Sequence, residues 1–163
     1  MCQTAIYPGT FDPVTYGHID IIKRAQNIFS EVIVAVAHNP HKKPLFSVKE
    51  RVELLKKATS DLKGVEIVDF DGLVVDFARK HRAQVLVRGI RMLSDFEYEF
   101  QMALTNRKMS PDIETIFLMP HESYSYISSK LLKEAAVLGA DVSNFVPNFV
   151  NEALKKKLRS VKK

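Results

Sequence analysis

Apolar residues along this chain fall into two alternating kinds of run. Short continuous ones lie at Thr4–Tyr7, Val32–Ala37, Val65–Phe70, Val85–Val87 and Ile113–Met119. Continuity over so few residues, rather than strict alternation, marks strands covered on both faces of a parallel sheet. Elsewhere apolar positions recur at three- and four-residue spacing. They predict helices near His18–Phe29, Val48–Ser60, Leu73–His81, Asp95–Lys108, Ser129–Leu138 and Pro147–Leu158. Ser47 with Glu50, and Ser94 with Glu97, have capping-box spacing, and Pro147 suits the first turn of the last helix. Phe96, Phe100 and Ala103 share one helical face and are expected in the core. The order of elements predicts an α/β fold: a doubly wound, five-stranded parallel sheet with right-handed crossovers and flanking helices. At 163 residues, without internal repeat or long linker, residues 1–163 suit one domain.

Composition narrows the class. A hydrophobic share of 46% and a charged share of 26% are ordinary for a soluble globular protein. No apolar run approaches the ~18 residues of a membrane span. The start, Met1-Cys2-Gln3-Thr4, lacks a secretion signal's basic and apolar stretches, and Cys2 is the single cysteine. A cytoplasmic protein without disulfide or cysteine metal cluster is expected. The net charge of +5 comes from the C-terminal stretch, from about residue 147. Without Lys155, Lys156, Lys157, Arg159, Lys162 and Lys163, 18 basic residues face 19 acidic ones. That surplus reads as a solvated helix end favourably placed against the helix dipole, and truncation after Asn151 is expected to be tolerated. Neither a nucleic-acid partner nor a membrane partner is implied.

Candidate chemistry collects where strands end. Gly9-Thr10-Phe11-Asp12-Pro13, then Thr15-Tyr16-Gly17-His18, joins the first strand to the first helix. In an open α/β sheet ligands bind at the carboxyl ends of the strands, and the N–H groups of a helix start favour an anion. The glycine spacing matches neither the dinucleotide fingerprint nor a P-loop. Lys42 and Lys43 follow the second strand. Arg88-Gly89-Ile90-Arg91 and Ser94 to Glu99 follow the fourth, and Tyr124 to Lys130 the fifth. Cations, a histidine and hydroxyls on one rim suit a polyphosphate ligand. Taken singly, several of these residues have plainer readings. Lys42 and Lys43 could be solvated, Arg91 could pair with Asp95 or Glu97, and Ser128 and Ser129 could simply cap a helix. Arg88, directly after an apolar strand, is a costly place for an idle charge.

Tyr7-Pro8-Gly9-Thr10-Phe11-Asp12-Pro13 with Gly17-His18, and Ile127-Ser128-Ser129, resemble the two motifs of the nucleotidyltransferase superfamily. Four further segments resemble the bacterial phosphopantetheine adenylyltransferase family. They are Asn39–Pro44, Arg88-Gly89-Ile90-Arg91 through Glu99, Phe117–Pro120 and Asp141–Pro147. The resemblance runs from about residue 4 to about 150. It implies a Rossmann-like sheet, transfer of the adenylyl group of ATP to 4′-phosphopantetheine, and dephospho-coenzyme A and pyrophosphate as products. It also implies a magnesium requirement, a homohexamer and coenzyme A as inhibitor. By that resemblance His18 stabilises the transition state. Thr10, Lys42, Val74 and Arg88 would take phosphopantetheine. Thr10, Phe11, His18, Gly89, Ile90, Arg91, Glu99, Tyr124, Ser125, Tyr126, Ile127, Ser128, Ser129 and Lys130 would take ATP. Mg2+ would be carried by ATP, with no protein metal ligands. Lys130 departs from the family's small hydroxyl residue, and His121 and Tyr16 receive no role.

The rival readings are a related transferase acting on nicotinate mononucleotide or an alcohol phosphate, and a non-catalytic nucleotide or coenzyme A sensor. Loss of turnover with retained binding would mark the sensor.

Overall fold

The computed structural model describes residues 3–39 and 43–161. Its strands are β1 (Thr4–Gly9), β2 (Glu31–Ala37), β3 (Val65–Phe70), β4 (Val85–Gly89) and β5 (Glu114–Leu118). Its helices are α1 (Tyr16–Gln26), α2 (Val48–Ala58), α3 (Val74–Lys80), α4 (Leu93–Met109), α5 (Ser129–Val137) and α6 (Asn148–Val161). The strands form one parallel sheet in the order β3-β2-β1-β4-β5. The chain therefore builds outward from β1 in one direction, then returns to build outward in the other. The reversal falls between β1 and β4, the place where such sheets bind ligands.

Register sharpens that point. The β1–β2 ladder runs from Thr4↔Glu31 to Gly9↔Val36, whereas the β1–β4 ladder consists only of Ala5↔Val85 and Ile6↔Leu86. Beyond Ile6 and Leu86 the two central strands part, and a cleft opens at their carboxyl ends. Because side chains alternate along each strand, Ala5, Tyr7, Val85 and Val87 join one core with α1, α5 and α6. Ile6, Ile33 and Leu86 join another with α3.

The helix starts follow their sequences unevenly. Ser47 and Glu50 form the expected capping box at α2. The start expected at Ser94 is displaced: α4 begins at Leu93 with Met92 in the cap position, which puts Ser94 within the helix. Pro147 precedes α6 rather than opening it, and its carbonyl accepts the N–H groups of Val150 and Asn151. Two core expectations also fail. Phe96 and Phe100, 42% and 46% exposed, lie on an outward face of α4 together with Leu93 and Leu104. Strand β5 is not covered on both faces, since Ile116 at the sheet edge is 36% exposed.

The C-terminal stretch is more than a solvated end. Leu154 is buried, Lys157 pairs with Glu50 at 2.7 Å, and Lys57 sits 4.5 Å over the ring of Phe149. Truncation after Asn151 would uncover the core that Leu154 shares with Leu132 and Leu55, an argument against the expected tolerance. Leu154→Ala should lower unfolding free energy in urea by about 2–4 kcal/mol. Exposed Lys156→Ala should change it by less than about 0.5 kcal/mol, and equal effects would contradict the docked helix.

Candidate active site

The parting of β1 and β4 opens a cleft of about 1020 Å³. Its floor starts with the turn after β1. Gly9 is required there, because a Cβ would lie 2.8 Å from the Phe11 ring, which folds back over it with φ of 50°. Asp12 is buried at the end of the turn. It accepts the N–H groups of Leu45 and Phe46 at 2.9 and 2.8 Å, and the ammonium of Lys133 from α5. On the other side of the same segment lies Arg51 of α2, with no exposed surface. It donates to the carbonyl oxygens of Thr10 (2.7 Å), Ala37 (2.8 Å), Phe46 (3.2 Å) and His38 (3.4 Å). The carboxyl ends of β1 and β2 are thus stitched together from beneath. Ser129 of α5 adds a bond from its hydroxyl to the Pro13 carbonyl at 2.8 Å.

His18 lies at the third position of α1 and completes a capping box in which histidine replaces the usual Glu or Gln. Its Nδ1 accepts the Thr15 backbone N–H at 3.1 Å. A backbone N–H can only donate, so Nδ1 is the acceptor and the ring proton resides on Nε2. The ring packs edge-on to Phe11, with centroids 5.0 Å apart. Burial, then the nearby Arg91 and Arg88, push its pKa down to about 3. His18 is therefore a neutral donor at physiological pH, fixed in tautomer and direction.

Arg88 reaches across the parted strands. Its Nη1 donates to the Pro8 carbonyl at 2.6 Å, while Nε and Nη2 grip Glu99 of α4 at 2.7 and 2.5 Å. Burial works against its charge, but the Glu99 carboxylate outweighs that effect and its pKa is raised. Five N–H donors and three bonds leave each terminal nitrogen one N–H to offer a ligand. Arg91 is held at 3.1 Å by Asp95 and donates to the Ile127 carbonyl at 2.6 Å, tying the end of β4 to the approach to α5. Beyond Arg88 the wall turns apolar, with Phe70, Leu73, Val74, Met102 and Met109. The cleft can thus hold an anion at its centre and an extended, mostly apolar arm beside it.

A cytidylyltransferase-like family model matches residues 6–135. Over 157 residues the chain is 57% identical to the phosphopantetheine adenylyltransferase of Caldanaerobacter subterraneus subsp. tengcongensis, covering 96% of this chain and 98% of that one. This chain belongs to the phosphopantetheine adenylyltransferase family. More distant proteins share its fold. A structure described as a putative nicotinate-nucleotide adenylyltransferase of Vibrio parahaemolyticus matches with a TM-score of 0.71 at 19% identity, over 94% of this chain and 99% of that one. A bifunctional NMN adenylyltransferase/ADP ribose pyrophosphatase of Francisella tularensis matches with 0.74 at 16%, over 98% of this chain and 50% of that one.

Most residues that the family resemblance singles out lie on the cleft wall: Thr10, Phe11, His18, Val74, Arg88, Gly89, Arg91, Glu99, Ile127, Ser128, Ser129 and Lys130. Four stand back from it. Ile90 donates its N–H to the Leu118 carbonyl, Tyr124 packs on Tyr16 with centroids 6.0 Å apart, Ser125 bonds the His121 carbonyl, and Tyr126 meets Phe145. Lys42 lies outside the described residues. Glu99, expected at ATP, lies on that wall and braces Arg88. Ser128 caps α5 by accepting the Leu131 N–H at 3.1 Å. Among the described residues no group of three or more His, Cys, Asp or Glu is placed to hold a metal ion.

Sequence reading missed Arg51 and Lys133. Arg51 shares the buried face of α2 with Leu55, four residues on, and an arginine at such a spacing was the signal available. Thr15 three residues before His18 also had the spacing of a cap.

Nitrogen shifts of the His18 ring should show the Nε2–H tautomer and no titration from pH 8 to 5; protonation near pH 6.5 would contradict the geometry. The linked sign follows. Unfolded His18 binds its proton near 6.5 and folded His18 near 3, so its contribution lowers stability as pH falls between those values.

Proposed function

We propose that this protein transfers the adenylyl group of ATP to 4′-phosphopantetheine, giving dephospho-coenzyme A and pyrophosphate in the cytoplasm. One observation carries the reading. A neutral imidazole donor and a braced arginine face one cleft that continues into an apolar arm. Phosphopantetheine is a phosphate on a long chain whose gem-dimethyl, methylene and thiol segments are joined by a hydroxyl-bearing carbon and two amides, and its phosphate and alkyl parts fit that sequence of surfaces. Family membership at 57% identity supports the same acceptor.

The acceptor is largely a phosphate dianion at neutral pH, so its oxygen attacks the α-phosphorus without losing a proton. No general base is required. The difficulty is electrostatic, because one anion must approach another and negative charge must spread over the α-phosphate. Arg88, with Thr10 and Lys42, holds the acceptor phosphate. His18 donates from Nε2 to a non-bridging α-oxygen, where the bond strengthens as charge develops. Arg91 and the start of α5, with Ser129 and Lys130, face the leaving pyrophosphate. Magnesium is read as arriving on the triphosphate, where it offsets phosphate charge. The cleft carboxylates Asp12 and Glu99, and Asp95 behind Arg91, each already hold a cation of the protein. The exposed apolar row on α4 offers a surface for self-association, and the homohexamer rests on the family resemblance. Coenzyme A, which shares the pantetheine arm, is read as an inhibitor.

Pyrophosphate release should be measured with 4′-phosphopantetheine, nicotinate mononucleotide and glycerol 3-phosphate, for wild type and His18→Ala. Release with phosphopantetheine alone is expected. The variant should lose about a hundredfold or more in kcat while its KM for ATP stays within about threefold. Release only with another acceptor would overturn the substrate. Binding without release would make the protein a sensor, and a fully active variant would remove the mechanism.

A further inference from the structure

That reaction leaves unused a buried polar side chain on the cleft wall. Tyr7, on β1 just beyond the last residue pair shared with β4, is 5% exposed and is a wall residue of the cleft. Its hydroxyl bonds to none of the described residues. Sealed-in polar side-chain atoms without a partner are absent among those residues. An unpaired hydroxyl that is not sealed in opens to the cleft. Its direction is set by packing. The ring meets Phe11 edge-on at 5.4 Å, and Phe11 in turn meets His18. A Cβ on Gly89 would come within 3.8 Å of the Tyr7 oxygen, which therefore hangs across the parted strands beside the Gly89 backbone. Burial pushes its pKa up, partly offset by Arg88 and Arg91, so the phenol remains a donor.

Alternation along the strands decides which ligand it meets. Tyr7 and Val87 point to the face that carries α1 and His18, while Leu86, and Arg88 two residues on, point to the face of α3. With the proposed function placing the nucleotide at His18 and the acceptor at Arg88, Tyr7 stands on the nucleotide's side. We propose that the Tyr7 hydroxyl is a binding group for the nucleotide, donating a hydrogen bond to an oxygen between its ribose and its α-phosphate. The oxygen has no partner in the fold itself, where a phenylalanine would fill the same space without a polar atom to desolvate.

Tyr7→Phe removes that atom and leaves the ring. Calorimetric titration with ATP, without acceptor, should show Kd raised about five- to twentyfold, the span between a strong neutral hydrogen bond and a weak charged one. The melting temperature should be unchanged or slightly higher, and KM for the acceptor within about twofold. An unchanged ATP Kd would overturn the assignment, as would a rise in acceptor KM alone or a fall of several degrees in melting temperature. The titration reads Tyr7 whichever acceptor the wild type uses. Failure of wild type to adenylate phosphopantetheine would strike the proposed function and leave the Tyr7 result standing.

Discussion

Arg51 lies wholly inside the protein and spends its guanidinium on backbone carbonyls at the ends of β1 and β2 and in the chain entering α2. Asp12 takes the N–H groups of that entering chain and the ammonium of Lys133. A buried cation and a buried anion thus grip the same few residues from opposite sides, without bonding each other. Either charge alone would be expensive to bury; each is tolerable because it satisfies groups that the turn leaves without partners. The turn between Gly9 and Thr15 is held at both margins, and with it the Phe11 ring and the position of His18. The geometry of the cleft depends on a charge network anchored by Arg51 inside the fold and by Asp12 and Lys133 at its edge.

The same economy recurs at the surface of the cleft. Arg88 is held by Glu99, Arg91 by Asp95 and Lys133 by Asp12. Fixed carboxylates keep the cations in place and limit their mutual repulsion before substrate binds, so little reorganisation is required when anions arrive. Histidine is treated in the opposite way. No acid among the described residues stands beside it to draw in a proton, and two arginines and burial keep it neutral. A neutral donor suits an α-phosphate whose charge grows during reaction, while the permanent cations suit groups that are charged throughout.

How much of this was legible in the chain depends on the range of the interaction. Strands β1 to β4 and the helices after them follow from local apolar runs, and their limits shifted by only a few residues. The motif at Gly9 to His18 and the arginine after β4 announced themselves because glycine and charge are anomalous beside buried strands. The helical spacing of Phe96 and Phe100 could show a shared face, but not whether this chain alone covers it. Their exposure is a property of what packs on α4. The pairing of Glu99 with Arg88 could not be read from the chain, since it is set by how α4 lies beside β4. Arg51 stayed hidden because an arginine in an amphipathic helix reads as a surface residue until a sheet is folded over it. Tyr7 reads as strand core for the same reason: only the early end of the β1–β4 ladder exposes its hydroxyl.

At the centre of the proposed mechanism is a direct displacement at phosphorus, with position and fixed charge doing what a covalent nucleophile or general base does elsewhere. The stereochemical course tests it most directly. ATP made chiral at the α-phosphorus with sulfur and an oxygen isotope should give product of inverted configuration, the signature of one in-line transfer. Retention would require an even number of displacements and an adenylyl-enzyme intermediate. It would contradict Arg88 as holder of a phosphate that attacks ATP directly.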